Sequence, residues 1–127
     1  NLKCKSTTPQ DSSLKESYFD LVFDTVGLEI TRNSAIKHTK PGGTIVHIGL
    51  SQPAGVFDFR KATLQEITFI GTYCYTNKDF ENTLNILSKN KIGDLNWIEF
   101  KNLDKGAEAF KEIHDGTCSA PKIILIP

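Results

Sequence analysis

Two apolar runs of the chain each end on a glycine, and the placement of these glycines first suggests chemistry. The runs are DLVFDTVG, which ends at Gly27, and GGTIVHIG, which ends at Gly49. In an open α/β sheet, ligands bind beyond the carboxyl ends of the parallel strands. A glycine at such an end lets a ring or a phosphate approach the backbone. Both residues could also be plain turn glycines, so the pattern alone leaves two interpretations open.

The cysteines and histidines are too scattered to predict a metal site. They are Cys4, Cys74 and Cys118, and His38, His47 and His114. A tetrahedral zinc site needs three or four converging ligands, which usually have short spacings in the sequence. We therefore predict no metal ligand in this chain. The odd cysteine count and the polar, leaderless start favour free thiols and a cytoplasmic location.

Three further polar residues each have two interpretations. Asp24 follows a strand and either binds a sugar hydroxyl or caps a turn. His47 lies within a strand and is expected to be a satisfied or half-exposed core residue. Lys122 is the one charge in the apolar run KIILI, where it either faces a ligand or protects a strand edge from aggregation. No acid–base pair is identifiable, so we predict no catalytic residue.

The composition excludes several classes of partner. Fifteen basic and fifteen acidic residues cancel among the 127, which gives no reason to expect nucleic acid or an acidic membrane surface. No apolar run approaches the roughly 20 residues that a membrane-spanning helix needs. We therefore expect neither a nucleic-acid partner nor a membrane partner.

Alternating strands and helices must position these residues. The hydrophobic pattern predicts inward-facing Ile30, Ala35 and Ile36 on the first helix, and the sequence KPGG is expected to end that helix. Predicted strands are Tyr18–Asp24, Thr44–Leu50, Ile67–Tyr75, 96–103 and Pro121–Pro127. Predicted helices are Glu29–Thr39, Arg60–Glu66, Asn77–Asn90 with Thr76 or Asn77 as its cap, and Asp104–His114 with Gly116 as its end. This alternation indicates an α/β fold with parallel strands.

In this order the elements resemble the C-terminal part of the medium-chain dehydrogenase/reductase superfamily, in its zinc-dependent alcohol and polyol dehydrogenase branch. The resemblance covers residues 18–127. It rests on an ordered series of short motifs: Asp24 with Gly27, Pro41-Gly42-Gly43, Gly49, Ile70-Gly71, the helix with Ala107 and Phe110, and Lys122. It implies the second half of a Rossmann-like parallel sheet with flanking helices, that is, an incomplete nucleotide-binding domain.

The resemblance also implies a set of positions that bind a nicotinamide cofactor, NAD or NADP. Thr25, Val26 and Gly27 match the side of the adenosine ribose. Ile48, Gly49 and Leu50 match backbone groups that face the nicotinamide. The strand containing Thr68 and Ile70 matches groups that face the carboxamide, and it pairs with its twin in the family's dimer. Lys122 matches a basic residue that faces the pyrophosphate.

Several parts of the family's machinery are absent from this sequence. The resemblance places the catalytic zinc ligands and the proton relay in a preceding domain, and the G-x-G-x-x-G phosphate turn does not occur here. The chain is thus expected to be a single C-terminal dehydrogenase segment. Residues 18–73 would supply strands 4–6 of the cofactor sheet, and residues 74–127 would return to the catalytic domain.

Three hypotheses follow about function. The chain is a cofactor-binding segment of a zinc-dependent oxidoreductase that transfers hydride between an alcohol and a nicotinamide cofactor, is inactive alone, and binds cofactor weakly or not at all. Alternatively, it is a truncated homologue that serves as a nucleotide-binding or protein-interaction module. A third possibility is an obligate partner that completes its sheet with another chain, as a homodimer through Ile67–Tyr73 or through the bare edge DLVFD.

Overall fold

The computed structural model describes residues 7–8 and 13–127, so Cys4 lies outside the described residues. Five strands alternate with four helices in this part of the chain, which confirms the α/β class. They are β1 (Phe19–Asp24), α1 (Glu29–His38), β2 (Thr39–His47), α2 (Phe59–Leu64), β3 (Thr68–Gly71), α3 (Asn77–Ser88), β4 (Ile98–Asn102), α4 (Gly106–His114) and β5 (Lys122–Ile126). A 3-10 turn (Leu103–Lys105) precedes α4. The chain divides into a first unit that ends at Thr76 and a second unit, Asn77–Pro127.

The first unit holds a three-stranded parallel sheet in the order β1-β2-β3. Helix α1 connects β1 to β2 and helix α2 connects β2 to β3, as parallel neighbours require. Strands β1 and β3 are therefore the edges of the sheet within the described residues. The prediction that DLVFD forms an edge is confirmed, and the side chains of Leu21 and Phe23 on it are about half exposed.

Strand β2 differs from its predicted bounds at both ends. It begins at Thr39 rather than Thr44, because Thr39 already pairs with Phe19 while Thr44 pairs with Leu21. The sequence KPGG is a bulge inside the strand and not a break before it, and Gly42 donates its N–H to the Gln65 carbonyl at 2.7 Å. The strand ends at His47 rather than Leu50, because the next backbone N–H groups turn towards β1.

Two other predicted elements are longer than the structure shows. Strand β3 ends at Gly71 instead of Tyr75, because Gly71 is paired with His47 and β2 offers no further residue to pair with. Helix α2 begins one residue early, after Asp58, whose carboxylate accepts the N–H of Lys61 at 2.8 Å. It ends before Glu66, whose φ of 52° is left-handed.

A small core lies between α1 and the sheet. Ala35, Ile36 and Ile45 form its buried centre, and Val22, Phe57, Ala62 and Ile67 pack against it. The prediction of inward-facing Ala35 and Ile36 is confirmed. Ile30 was predicted to be buried with them, but it is 60% exposed because it lies on the β1 side of α1, where no described strand covers it.

The second unit holds a two-stranded parallel sheet, β4 with β5, connected by α4. Gly116 ends α4 as predicted, with a φ of 67°. Of the apolar residues on α4, Ala109 is buried, whereas the stripe that includes Phe110 and Ile113 is exposed. Across the described residues, no helix is both long enough and apolar enough to cross a bilayer.

Candidate functional site

The candidate site lies at the carboxyl ends of β1 and β2, where two loops meet. We call residues 25–28 the first loop and residues 48–58 the second loop. The backbone carbonyl of Asp24, the last residue of β1, accepts the N–H groups of Ile48 at 2.9 Å and Gly49 at 3.1 Å. Further along, Ser51 donates to the Val26 carbonyl and Gln52 to the Gly27 carbonyl, each at 3.1 Å. The loops are thus paired backbone to backbone.

The Asp24 carboxylate organises the first loop. Its side chain is only 2% exposed. Its Oδ1 accepts the N–H of Gly27 at 2.9 Å and that of Val26 at 3.2 Å. Of the two interpretations that the sequence left open for Asp24, the structure shows the turn cap.

Asp24 also pairs with His47, which lies directly opposite it in the register of β1 and β2. Asp24 Oδ2 and His47 Nδ1 are 3.0 Å apart. Burial alone would raise the pKa of Asp24, but hydrogen bonding from the N–H of Gly27, the side chain of Thr31 and the N–H of Val26 outweighs it and lowers that pKa below its ordinary value. The carboxylate is therefore ionised at neutral pH. His47 is a largely buried histidine whose Nδ1 is paired, which agrees with the core position that the sequence predicted.

Gly27 and Gly49 lie where the backbones of the two loops touch, so neither position has room for a side chain. A Cβ on Gly27 would lie 2.0 Å from the carbonyl oxygen of Gly49, and a Cβ on Gly49 would lie 2.1 Å from the carbonyl carbon of Val26. Gly27 also has a φ of 76°, which side chains disfavour. Close contact between the two loops is thus sufficient to explain both glycines.

Arg32 on α1 fixes the outer part of the second loop. Its Nη1 donates to the carbonyls of Gly27 at 2.9 Å and Gln52 at 3.3 Å, and its Nη2 donates to that of Ala54 at 2.7 Å. The side-chain oxygen of Gln52 in turn accepts the N–H of Glu29, the first residue of α1, at 2.9 Å. The start of α1 and the second loop therefore form one connected network.

This network determines which backbone groups remain available to a ligand. The N–H groups of Val26, Gly27, Ile48 and Gly49 are all donated within the protein. The N–H of Leu50 and the carbonyl oxygens of Ile48, Gly49 and Leu50 have no hydrogen-bond partner among the described residues, and the Gly49 oxygen faces Gly27. A free N–H donor beside free carbonyl acceptors suits a carboxamide, which carries both kinds of group, better than it suits an anion.

The structure brings most of the predicted cofactor-binding residues together. Thr25, Val26 and Gly27 lie in the first loop, and Ile48, Gly49 and Leu50 lie beside them in the second. Thr68 and Ile70 lie on β3, next to β2, and are exposed. Lys122 is the exposed first residue of β5, in the second unit.

Sequence reasoning missed two parts of this site. It did not pair Asp24 with His47, although both close neighbouring parallel strands, and that position was the available signal. It gave no role to Arg32 or Gln52, for which the sequence carried no visible signal because the contacts depend on how the second loop folds.

The described residues do not fit a metal ion. No group of three histidine, cysteine, aspartate or glutamate side chains in this part of the chain is arranged to hold one. Cys74 and Cys118 are both free thiols. No chemical step is therefore assigned to a metal in the described site.

Known structures share this fold. Acetophenone reductase from Geotrichum candidum, solved in complex with NAD, superposes with a TM-score of 0.80 and 21% sequence identity over 96% of this chain and 34% of the other. L-idonate 5-dehydrogenase from Escherichia coli superposes with a TM-score of 0.82 and 22% identity over 94% of this chain and 36% of the other. These likenesses show the fold, including the Rossmann-like character of the first sheet.

Curated relatives and a family model identify the lineage. Sorbitol dehydrogenase 1 from Saccharomyces cerevisiae is 28% identical over 76 residues, which are 60% of this chain and 21% of the relative. D-xylulose reductase from the same yeast is 32% identical over 94 residues, 73% of this chain and 26% of the relative. The chain thus spans about a fifth to a quarter of the length of these relatives. The model of the zinc-binding dehydrogenase family matches residues 5–89, more than half of the chain, and this chain belongs to that family.

Proposed function

We propose that this chain is a cofactor-binding segment of a zinc-dependent alcohol or polyol dehydrogenase, and that it holds the nicotinamide end of NAD or NADP. The observation that carries the proposal is the set of unpaired backbone groups at Ile48 and Leu50. A nicotinamide carboxamide would donate hydrogen bonds from its NH₂ group to the free carbonyls, and its oxygen would accept one from the N–H of Leu50. When bound, the cofactor supplies the hydride chemistry, and the chain orients its ring.

The other predicted positions keep their roles within this proposal. Thr25, Val26 and Gly27 would lie beside the adenosine ribose, whereas Thr68 and Ile70 would extend the carboxamide site along β3. Lys122 would face the pyrophosphate in a complete cofactor cleft. These roles come from family membership, and the exposure of Thr25, Thr68 and Lys122 is compatible with them.

Cofactor binding by the chain alone is expected to be weak. The N–H groups of Val26, Gly27, Ile48 and Gly49 are already donated internally, and the sequence has no G-x-G-x-x-G turn. Each charge-assisted hydrogen bond that a phosphate lacks removes roughly 1.5–3 kcal/mol of binding free energy. The same reasoning, with no predicted acid–base pair, leads us to propose that the 127-residue chain does not oxidise alcohols.

Fluorescence titration with NADH and NADPH tests the proposed weak cofactor binding, and an alcohol oxidation assay tests the proposed lack of activity. We expect saturable binding with a dissociation constant in the millimolar range, and no zinc-dependent oxidation of sorbitol or other alcohols. A complete lack of binding at the highest cofactor concentrations would contradict the first part. Alcohol oxidation by the purified chain would contradict the second.

Self-association is a second candidate role, favoured by the apolar edges of the first sheet. Leu21 on β1 is 48% exposed and Ile70 on β3 is 45% exposed. Open apolar edges pair readily with another strand, so we propose a homodimer formed through β3 or through β1. Light scattering is expected to show a dimer that either Leu21→Lys or Ile70→Lys disrupts, which identifies the edge. A monomer at all concentrations would contradict this role.

We also propose a cytoplasmic location. The free thiols of Cys74 and Cys118 suit a reducing compartment, since an oxidising one favours disulfides. Imaging of the chain fused to a fluorescent protein is expected to show diffuse cytoplasmic signal, and accumulation in a secretory compartment would contradict the proposal.

A further inference from the structure

A second feature of the first unit lies on the face of the sheet that the helices cover. His47 points to the same face as the core residue Ile45, because side chains two residues apart share a face of a strand. On this face the second loop, α2 and strands β2 and β3 line an open cavity of about 710 Å³. This volume lies within the range of roughly 300–1,000 Å³ that is typical of small-molecule sites.

Aromatic rings form much of the cavity wall. The ring centroids of Phe57 and Phe69 are 5.3 Å apart with an edge-to-face angle of 78°, and those of Phe57 and Phe59 are 4.8 Å apart at 65°. The His47 ring lies 5.5 Å from that of Phe69. Phe59 and Phe69 are exposed despite their size. An exposed set of converging rings is better explained by a flat apolar ligand than by packing within the chain.

His47 supplies a polar group on this wall. Its Nδ1 carries the proton that it shares with the Asp24 carboxylate, since an ionised carboxylate can only accept a hydrogen bond. In the tautomer that carries its proton on Nδ1, Nε2 is an acceptor, and Nε2 has no hydrogen-bond partner in the described part of the chain. An acceptor among apolar rings selects a ligand that carries a donor.

The second loop forms one wall of the cavity, and hydrogen bonds from Arg32 hold it in place, as they do in the candidate site. Gln52 and Ala54 line the cavity, and Arg32 holds the carbonyls of both. The guanidinium is occupied by these carbonyls, and His47 is the polar side chain of the wall that lies beside an aromatic ring, that of Phe69. The cavity is thus an open cleft, and these hydrogen bonds fix the loop that forms one of its walls.

We propose that this cavity binds a flat aromatic molecule that carries a hydroxyl group, of the phenol or naphthol class. The ring lies against Phe57 and Phe69, and the hydroxyl donates to Nε2 of His47. Leu50 lines both this cavity and the candidate site. The inference nevertheless does not rest on the proposed cofactor function, because the contacts that carry it are those of the His47, Phe57 and Phe69 side chains.

Two matched probes test the proposal on the 127-residue chain slightly above neutral pH. 2-Naphthol carries the hydroxyl donor, whereas 2-methoxynaphthalene has the same rings and no donor. We expect 2-naphthol to bind about fivefold more tightly, because one hydrogen bond contributes about 1 kcal/mol and this free energy corresponds to about a fivefold change in affinity. Equal affinities of the two probes, or no binding of either at its solubility limit, would overturn the proposal.

Two variants separate the hydrogen bond from the aromatic wall. His47→Phe keeps a ring beside Phe69 and is expected to abolish the preference for 2-naphthol, whereas Phe57→Leu is expected to weaken both probes alike. His114→Phe and Phe110→Leu, in the second unit, are the matched controls and should change neither affinity. A preference for 2-naphthol that survives in folded His47→Phe would overturn the assignment.

Nuclear magnetic resonance on the unmodified chain gives an independent measurement should His47→Phe fail to fold. The ring nitrogens of His47 are expected to shift on addition of 2-naphthol. His38, whose Nδ1 lies 2.9 Å from the carbonyl of Lys15 and which does not line this cavity, is the internal reference. A shift of His38 with none of His47 would place the ligand elsewhere and overturn the proposal.

Discussion

The two units of the chain use the same parts, parallel strands joined by helices, but they bury different kinds of residue. The first unit buries three polar residues, Asp24, His38 and Thr39, together with its apolar centre. Each of these polar residues has a hydrogen-bond partner within the unit. In the second unit Ala109 is the buried residue among those described, and the charged pair Lys101 and Glu112 is only partly covered.

This difference indicates where the chain is specified most strictly. A buried polar group must be satisfied by one arrangement of partners, so it fixes the backbone around it. Asp24 does so for both loops of the candidate site. The second unit has an exposed apolar stripe on α4 and no comparable buried network among its residues, so its sequence tolerates more change.

The largest expected effect is that of a side chain at the contact between the two loops. Gly49→Ala places a Cβ about 2 Å from backbone atoms of Val26, and we expect a loss of about 3 kcal/mol in the free energy of unfolding. Gly71→Ala is the matched control, because no atom lies within 4 Å of its added Cβ. Denaturant unfolding compares the two. Equal denaturant midpoints for both variants would contradict the close contact between the two loops.

Loss of the charge on Asp24 is expected to have the next largest effect. Asp24→Asn replaces a carboxylate that accepts two backbone N–H groups, and we expect a loss of about 2 kcal/mol near neutral pH. The folded state lowers the pKa of Asp24, so its ionised form contributes stability above the unfolded pKa, and this contribution is lost as pH falls through the folded pKa. The difference between wild type and Asp24→Asn should therefore shrink on acidification.

Urea unfolding at a series of acidic pH values measures this dependence. Asp58→Asn is a useful comparison because Asp58 caps α2 at an exposed position. A stability difference between wild type and Asp24→Asn that is constant from neutral to strongly acidic pH would contradict the role assigned to the carboxylate.

Removal of Arg32 is expected to have a smaller and local effect. Arg32→Gln loses the donors to the Gly27, Gln52 and Ala54 carbonyls, and we expect a loss of about 1 kcal/mol. Backbone hydrogen exchange should accelerate in residues 51–55 and remain unchanged in β1 to β3. Arg60→Gln, an exposed position on α2, is the control. Unchanged exchange in the second loop would show that Arg32 does not hold it.

The smallest effect is expected in the second unit. Lys101→Met removes the pairing with Glu112, the main cause of the raised pKa of Lys101. A raised pKa contributes stability that is present below the unfolded pKa and lost as pH rises through the folded pKa. The free energies of unfolding of wild type and Lys101→Met should therefore converge at strongly alkaline pH. At lower pH we expect them to differ by less than those of wild type and Asp24→Asn. A larger effect than that of Asp24→Asn would reverse the comparison between the units.

The sequence was sufficient to predict the order of the elements but not the reason for its glycines. Periodicity and end signals located α1, α4 and β5 to within about two residues, because these elements carry local signals such as Gly116. The ends of strands β2 and β3 differ from the prediction, because a strand ends where the neighbouring strand no longer provides backbone groups for hydrogen bonding. For Gly27 and Gly49 the sequence leaves open a turn or an approach by a ligand, and the structure adds a third reason, the close contact between the backbones of the two loops.

The candidate site was predicted as a location and not as a set of contacts. Parallel strands bring their carboxyl ends to one edge, which placed residues 25–27 and 48–50 together. Asp24 and Arg32 form hydrogen bonds with several backbone groups of the two loops, and these bonds determine which other groups stay free. No sequence pattern predicts these contacts. The cavity beside His47 has the same origin, since it exists only where the second loop is held over α2.

The central claim is that the second loop presents groups complementary to a carboxamide. The most direct measurement is the backbone amide spectrum of residues 48–50 during titration with NAD and with nicotinic acid adenine dinucleotide, which differs only in carrying a carboxylate in place of the carboxamide. We predict that NAD shifts the Leu50 amide and that the acid analogue does not, because it has no donor for the carbonyls of Ile48 and Leu50. Equal shifts with both compounds, or shifts that spare residues 48–50, would contradict the claim.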